Sequence, residues 1–329
     1  MTRFSILLSV ALLVHACSGG SNEIEIVQTE DELTITDEGR PVLTYRISEM
    51  MPTEGVDPLY RRSGFIHPLQ SPGGEVLTQI QPRDHYHHYG IWGPWTRTRI
   101  GDRQIDYWNL AKGEGTVRMK AILTSSSGQD HAAFTALQSH IDFGHEDGER
   151  VTMDEFYEVR YLGMEKEVPR YMVDITSTFR NVIEDTIIFE AHRYGGGLGF
   201  RATERWNANS CTVVTSEGKV RDEADGTTGR WCIIEGQSSV EQGRSGILFM
   251  SHPANREHPE PMRVWPTDMP KGGLMFNFTP TRYTAWEIVP GIDYTLRYRL
   301  VVFDGSLTTE EADAYWSEFA SSDLAELPE

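Results

Sequence analysis

Thirteen consecutive residues, Arg83 to Trp95 ("RDHYHHYGIWGPW"), hold three histidines, an aspartate, two tyrosines and two tryptophans. Imidazole gives and takes protons near neutral pH, so His85, His87 and His88 are candidate catalytic groups. Asp84 can orient one of these rings, and Tyr86 or Tyr89 can hydrogen-bond a hydroxylated ligand. Trp92, Trp95 and, further on, Trp108 offer flat faces on which a sugar ring can stack. In an extended segment His85 and His87 share one face and His88 takes the other. An H-x-H pair on one strand can also hold a divalent metal, with a third ligand from His67, His192 or His252. No glutamate follows closely; the next carboxylates are Asp102 and Asp106. Two readings stay open, an acid/base site with no cofactor and a metal held by His85 and His87, with at least one of the three histidines in the core.

A second cluster, "SHPANREHPEP", follows the apolar run "SGILFM" and so falls in a loop at a strand end. It carries His252, Asn255, Arg256 and His258, with Pro253, Pro259 and Pro261 restricting the backbone. Arg256 can grip a carboxylate or sulfate at two points. His252 and Arg256 join the catalytic candidates and Asn255 the substrate-binding ones. Further substrate-binding candidates are His67 ahead of a Pro/Gly turn, Tyr89, Trp92, Trp108, Glu287 beside Trp286, and His192 before the glycines of "GGGLGF". Those glycines let a backbone approach a ligand closely, and Arg201 follows them. The chain contains no G-x-S-x-G elbow, no H-E-x-x-H and no P-loop.

The elements that must position these groups read as strands. "EIEIVQTEDELTITDEGRPVLTYRI", "VTMDEFYEVRYLG", "RYMVDITSTFRNV" and "DYTLRYRLVVFDG" alternate apolar and polar residues and are bounded by Gly, Pro, Asp or Asn. One segment, "SLTTEEADAYWSEFA", predicts a helix, with a Ser/Thr start, an acidic first turn and apolar residues at helical spacing. Many short strands without interleaved helices predict an all-β fold, a large antiparallel β-sandwich with a short C-terminal helix.

The 329-residue chain carries a formal net charge of −19. With no basic stripe to neutralise phosphates it is not a nucleic-acid binder. Residues 1–16, "MTRFSILLSVALLVHA", read as a secretory signal, too short to remain as a membrane span. Cys17 directly after it predicts a lipidation site, with residues 17–22 as a polar tether and the membrane met through that lipid alone. The expected organisation is one sandwich domain over 23–305 and a helical tail over 306–329. Cys211 and Cys232 flank a hairpin, where a disulfide and two buried thiols are both compatible with an oxidising compartment.

The segments "FIHPLQSPGGEVLT", "DHYHHYGIW", "IDYW", "GGGLGFR", "RWCIIEG", "HPANREHP" and "YTLRYRLVVFDG" occur in the order of a bacterial family. The chain, from about residue 40 to about residue 305, resembles the DUF6807 family, also labelled the PmoA or methane oxygenase-like family. The resemblance implies secreted or periplasmic proteins associated with carbohydrate breakdown, and a sandwich similar to the galactose-mutarotase-like supersandwich. His85, His87 and His88 fall in its histidine motif, His67 in the upstream "HPL", and His252, Asn255 and Arg256 in the downstream loop.

The resulting expectation is a carbohydrate-active envelope enzyme, a lyase, dehydratase or hydrolase. One histidine takes a proton next to a carboxyl or keto group and Arg256 steadies the charge that forms. The substrate is a small molecule or oligosaccharide. A non-catalytic glycan-binding lipoprotein and a metal-dependent oxygenase are the alternatives. At least one of His85, His87 and His88 is expected to share a cleft with His252 or Arg256.

Overall fold

The alternating segments fold as strands because every second side chain can reach one apolar interior. In this computed structural model, which describes residues 24–165 and 167–322, the strands run from Ile24–Gln28 to Asp293–Asp304 and form three antiparallel sheets. The signal segment, Cys17 and the tether lie outside the described residues.

An eight-stranded sheet has the order Cys211–Thr215, Trp231–Gln237, Arg244–Ser251, Asp293–Asp304, Arg170–Asn181, Gly148–Met164, Ala132–His145, Gly115–Ser127. A nine-stranded sheet has the order Ile24–Gln28, Glu32–Asp37, Arg40–Arg46, Ile66–Leu69, Ile91–Trp92, Gly199–Arg201, Met275–Phe278, Glu260–Val264, Thr228–Gly229. The two sheets face each other across one core. Tyr45 meets Phe134 at 5.1 Å between ring centroids, Phe200 meets Phe249 at 5.0 Å, and Phe278 stacks on Tyr298 at 5.5 Å. A four-stranded sheet of Trp286–Ile288, Ile187–Phe189, Thr98–Ile100 and Arg103–Ile105 joins this core through Phe189, which stacks on Trp95 at 4.0 Å. This is the all-β antiparallel sandwich that the alternation predicts.

The outer faces are covered too. In Asp293–Asp304, Leu296, Tyr298, Leu300 and Val302 face the inter-sheet core, while Val301 and Phe303 face the helix Thr309–Ser321. Burial on both faces explains the unbroken apolar run "LVVF" within an otherwise alternating segment. The helix begins at a capping box. Thr308 Oγ accepts the Glu311 N–H at 3.2 Å, and the Glu311 carboxylate accepts the Thr308 N–H at 2.9 Å, worth about 1 kcal/mol. Ala312, Tyr315, Trp316 and Phe319 then lie at helical spacing against the sheet.

Cys211 and Cys232 are free buried thiols. In the antiparallel register Cys211 faces Gly236 and Cys232 faces Thr215, so the two side chains are four positions apart and form no disulfide. Burial pushes the Cys211 thiol up to about 12, and that of Cys232 higher still.

The outer face of the nine-stranded sheet positions the site. Ile91, Phe200 and Phe276 point into the inter-sheet core. Their neighbours Trp92, Arg201 and Met275 therefore point outward, where Trp92 and Met275 pack with Tyr89, Trp108 and Trp265.

Candidate functional site

The stretch Arg83–Tyr89 is not a strand. The His85 N–H bonds the Pro82 carbonyl at 2.8 Å and the His88 N–H bonds the His85 carbonyl at 3.1 Å, so the chain makes two successive turns before the strand Ile91–Trp92. The alternation expected of an extended segment is lost, and all three imidazoles converge. Ring centroids are 4.9 Å apart for His85 and His88, 4.8 Å for His87 and His88, and 5.5 Å for His85 and His87.

These rings form one side of a cavity of about 270 Å³, near the lower end of the range for small-molecule pockets (about 300–1,000 Å³). Trp108, Asn109, His192, Tyr194 and Trp265 complete it. Asp106 sets one wall. Its carboxylate accepts the backbone N–H groups of Trp108 (3.0 Å) and Asn109 (2.8 Å), the Lys112 ammonium (2.8 Å) and the Thr96 hydroxyl (2.9 Å). Burial opposes its ionisation, but these bonds outweigh that and hold it below the usual carboxylate range. The Trp108 indole N–H donates to the His87 carbonyl at 2.8 Å, tying that wall to the histidine turn. Trp265 follows the strand Glu260–Val264 and lies 4.7 Å from His85 and 5.4 Å from His88 between ring centroids. Its indole donates to the Tyr194 hydroxyl at 3.1 Å, which also accepts from Arg263 at 3.3 Å.

The histidines differ in environment. His88 is fully buried and neither ring nitrogen has a hydrogen-bond partner. Burial, reinforced by His87, Arg201 and His85, drives its pKa well below the ordinary value. Burial and then His85 push His87 down to about 4, so it is neutral at pH 7. His192 is also lowered, by burial and then by Arg97 and Arg193. His85 Nδ1 lies 3.1 Å from the Asp84 carboxylate, but off the line of a good hydrogen bond. Among the described residues no three metal-type side chains are spaced to share one ion. No step below is routed through a metal.

Other expected site residues lie elsewhere. Tyr89 is buried beneath the cavity, its hydroxyl bonded to the Tyr60 carbonyl. Trp92 is also buried, 5.3 Å from the His88 ring, and supports the floor rather than facing a ligand. His67 bonds the Thr78 hydroxyl at 2.8 Å outside the cavity. Glu287 is exposed on the edge strand Trp286–Ile288. The glycine run admits protein instead of ligand: at Gly196, with φ +70°, a Cβ would collide with the Trp95 ring, and at Gly197 with the Phe278 carbonyl.

The loop with His252 does not reach the histidine cavity. It precedes the strand Glu260–Val264, whereas Trp265 follows it, so the two clusters lie at opposite ends of one strand. Asn255 clamps the loop to Arg297, with its Oδ1 accepting the N–H at 2.7 Å and its Nδ2 donating to the carbonyl at 2.8 Å. Arg256 donates to the Ala285 carbonyl at 2.8 Å and lies over Trp286. His252 packs against Phe319 of the helix. The expected shared cleft is thus absent, because backbone and aromatic partners within the fold already engage these side chains. Sequence reasoning missed Trp265, Asn109 and Tyr194. Tyr194 stood beside His192 in a segment already singled out, while Trp265 carried no local signal.

A family model described as a family of unknown function (DUF6807) matches residues 32–317. No curated protein matches. Among solved structures, a mutant of the heparan sulfate lyase HepC from Pedobacter heparinus is 8% identical with a TM-score of 0.41, covering 87% of this chain and 37% of that one. The GH36 alpha-galactosidase AgaA from Geobacillus stearothermophilus is 8% identical with a TM-score of 0.36, covering 86% and 41%. A galactose mutarotase related enzyme from Lactobacillus acidophilus is 8% identical with a TM-score of 0.38, covering 87% and 100%. The chain thus spans well under half of the lyase and the galactosidase.

Proposed function

The chain belongs to the DUF6807 family, and we propose that it is an enzyme acting on a single sugar or sugar-acid ring by histidine acid/base chemistry. One observation carries this reading: four imidazoles and two indoles surround one cavity of about 270 Å³. Trp108 and Trp265 hold the ring between flat faces. His87, neutral at pH 7, is the proton acceptor. His85, beside the Asp84 carboxylate, is the second proton-transfer group.

In the lyase form of this reaction His87 takes the proton from the carbon next to the carboxyl. The C–H electron pair forms a C=C bond, the C–O bond at the adjoining carbon breaks, and the leaving oxygen takes a proton from protonated His85. Arg256 has no part in this scheme. The anchor at Cys17 and a cell-envelope location belong to the same proposal; among the described residues no helix is long and apolar enough to cross a membrane. Cys17→Ser should then release the protein from membranes, and a wild-type protein recovered wholly soluble would sink that part.

The test of the reaction is incubation with mixed oligosaccharides and sugar acids, following the absorbance of an unsaturated product and the release of reducing ends. Turnover that disappears in His87→Ala supports the enzyme. Binding without turnover of any sugar points instead to a glycan-binding protein.

A further inference from the structure

Behind the Trp265 wall lies a second cavity of about 220 Å³. Its lining carries Arg83, Arg201 and Lys271 against Asp84 and Glu204. Its lining has more cations than acids, in a chain of net charge −19.

Arg201 is its distinctive group. The residue is 5% exposed, and the outward turn of the strand Gly199–Arg201 aims it away from the inter-sheet core. A guanidinium offers five N–H donors, and a buried one normally finds acceptors for most of them. Here Nη1 is buried with no partner. Nε reaches Gln79 Oε1 at 3.5 Å, and Nη2 comes no closer than 3.8 Å to the Asp84 carboxylate. These are long contacts for a charged donor, whose bonds to carboxylates are normally about 2.7–2.9 Å. The guanidinium lies over the Trp265 ring at 4.9 Å, which fixes its plane. One N–H-bearing nitrogen thus lacks an acceptor and the other two hold theirs only at long range.

We propose that this cavity is a carboxylate subsite, in which Arg201 takes the carboxylate of an acidic sugar unit, a uronate, next to the histidine cavity. Trp265 connects the two spaces: His85 lies 4.7 Å from its ring and Arg201 4.9 Å. Asp84 bridges them as well, 3.1 Å from His85 and 3.8 Å from Arg201. An anion on Arg201 therefore competes with Asp84, the group that flanks His85, for the guanidinium, so occupancy of one cavity is felt in the other. Arg83 and Lys271, both exposed, add attraction at the rim. The proposal draws on the sugar reading of the neighbouring cavity for the identity of the ring, while the anion contact stands on Arg201 itself.

The test is isothermal titration of the full chain at low ionic strength with glucuronate, glucose and inorganic sulfate as probes. Glucuronate should bind about tenfold or more tightly than glucose, as expected for one charge-assisted pair. Arg201→Gln should abolish that advantage, and Arg83→Ala with Lys271→Ala, at exposed positions, should reduce it several-fold. Equal binding of the two sugars, no binding of glucuronate, or an advantage that survives in a folded Arg201→Gln protein would overturn the proposal. Should Arg201→Gln not fold, the double variant decides, and an undiminished advantage there overturns it. Sulfate binding as tightly as glucuronate overturns the assignment to acidic sugars. Arg201-dependent glucuronate binding by a chain that turns over no sugar leaves the subsite standing and removes the enzymatic reading instead.

Discussion

The His88 ring stacks on that of His85, with centroids 4.9 Å apart and planes inclined by 28°. His88 is wholly buried at this contact, and both its nitrogens lack protein partners. An unsatisfied buried polar group costs stability, and His88 carries that cost beside the cavity.

His88→Leu separates the two roles. Replacing an unsatisfied imidazole by an apolar group should leave the unfolding free energy unchanged or raise it by about 1 kcal/mol, while weakening sugar binding. Denaturant melts and titrations measure both. A loss above about 2 kcal/mol would show that His88 is an ordinary satisfied core residue.

His87→Ala should lower turnover by about a hundredfold or more, the usual range for a lost acid/base group, with a change in stability of about 1 kcal/mol or less. In the wild type, activity that needs neutral His87 should persist down to about pH 5 and fail as pH drops through about 4. An acid limb near 6.5 would assign the proton to another group.

Stability should depend on pH through His67 and His87, both held near 4 by burial against an ordinary 6.5. Between these values the unfolded chain binds more protons than the native one. Stability therefore rises with pH across this window and is lost on acidification, by on the order of 3 kcal/mol per histidine. Denaturant midpoints from pH 4 to 7 test the slope, and a slope undiminished in a protein lacking both rings would assign it to other groups.

Glu260 acts in the opposite direction. Its fully buried carboxyl meets Ser251, Asn255 and Tyr298, and burial raises its pKa to about 7 from 4.5 despite those hydrogen bonds. The native state then binds more protons than the unfolded chain between 4.5 and 7, so this contribution falls as pH rises. Glu260→Gln should be more stable than wild type at pH 8, by about 1–3 kcal/mol, and indistinguishable near pH 4. Equal stability at both pH values would mean that the carboxyl ionises freely.

Arg256→Ala should cost about 1 kcal/mol from the lost bond to Ala285 and the contact with Trp286, and should leave turnover within about twofold of wild type. A collapse of turnover with stability intact would return the loop to the active site.

The strands and the helix were legible because their signals are local. Alternation in "RYMVDITSTFRNV" and the Thr308–Glu311 capping box each specify an element within a dozen residues. The histidine stretch was legible as chemistry but not as geometry. Residue types alone do not distinguish two turns from a strand, and that difference decides whether His88 opposes His85 or stacks on it. Trp265, Tyr194 and Arg201 entered the site through pairing between distant strands. Gly199–Arg201 lies between Ile91–Trp92 and Met275–Phe278, and that register turns Arg201 outward, toward Trp265. The same topology sent the His252 loop to the far end of its strand. Local sequence thus determined which segments are strands and which side chains can carry protons. The pairing order of the sheet, set by burial across hundreds of residues, decided which of those side chains meet.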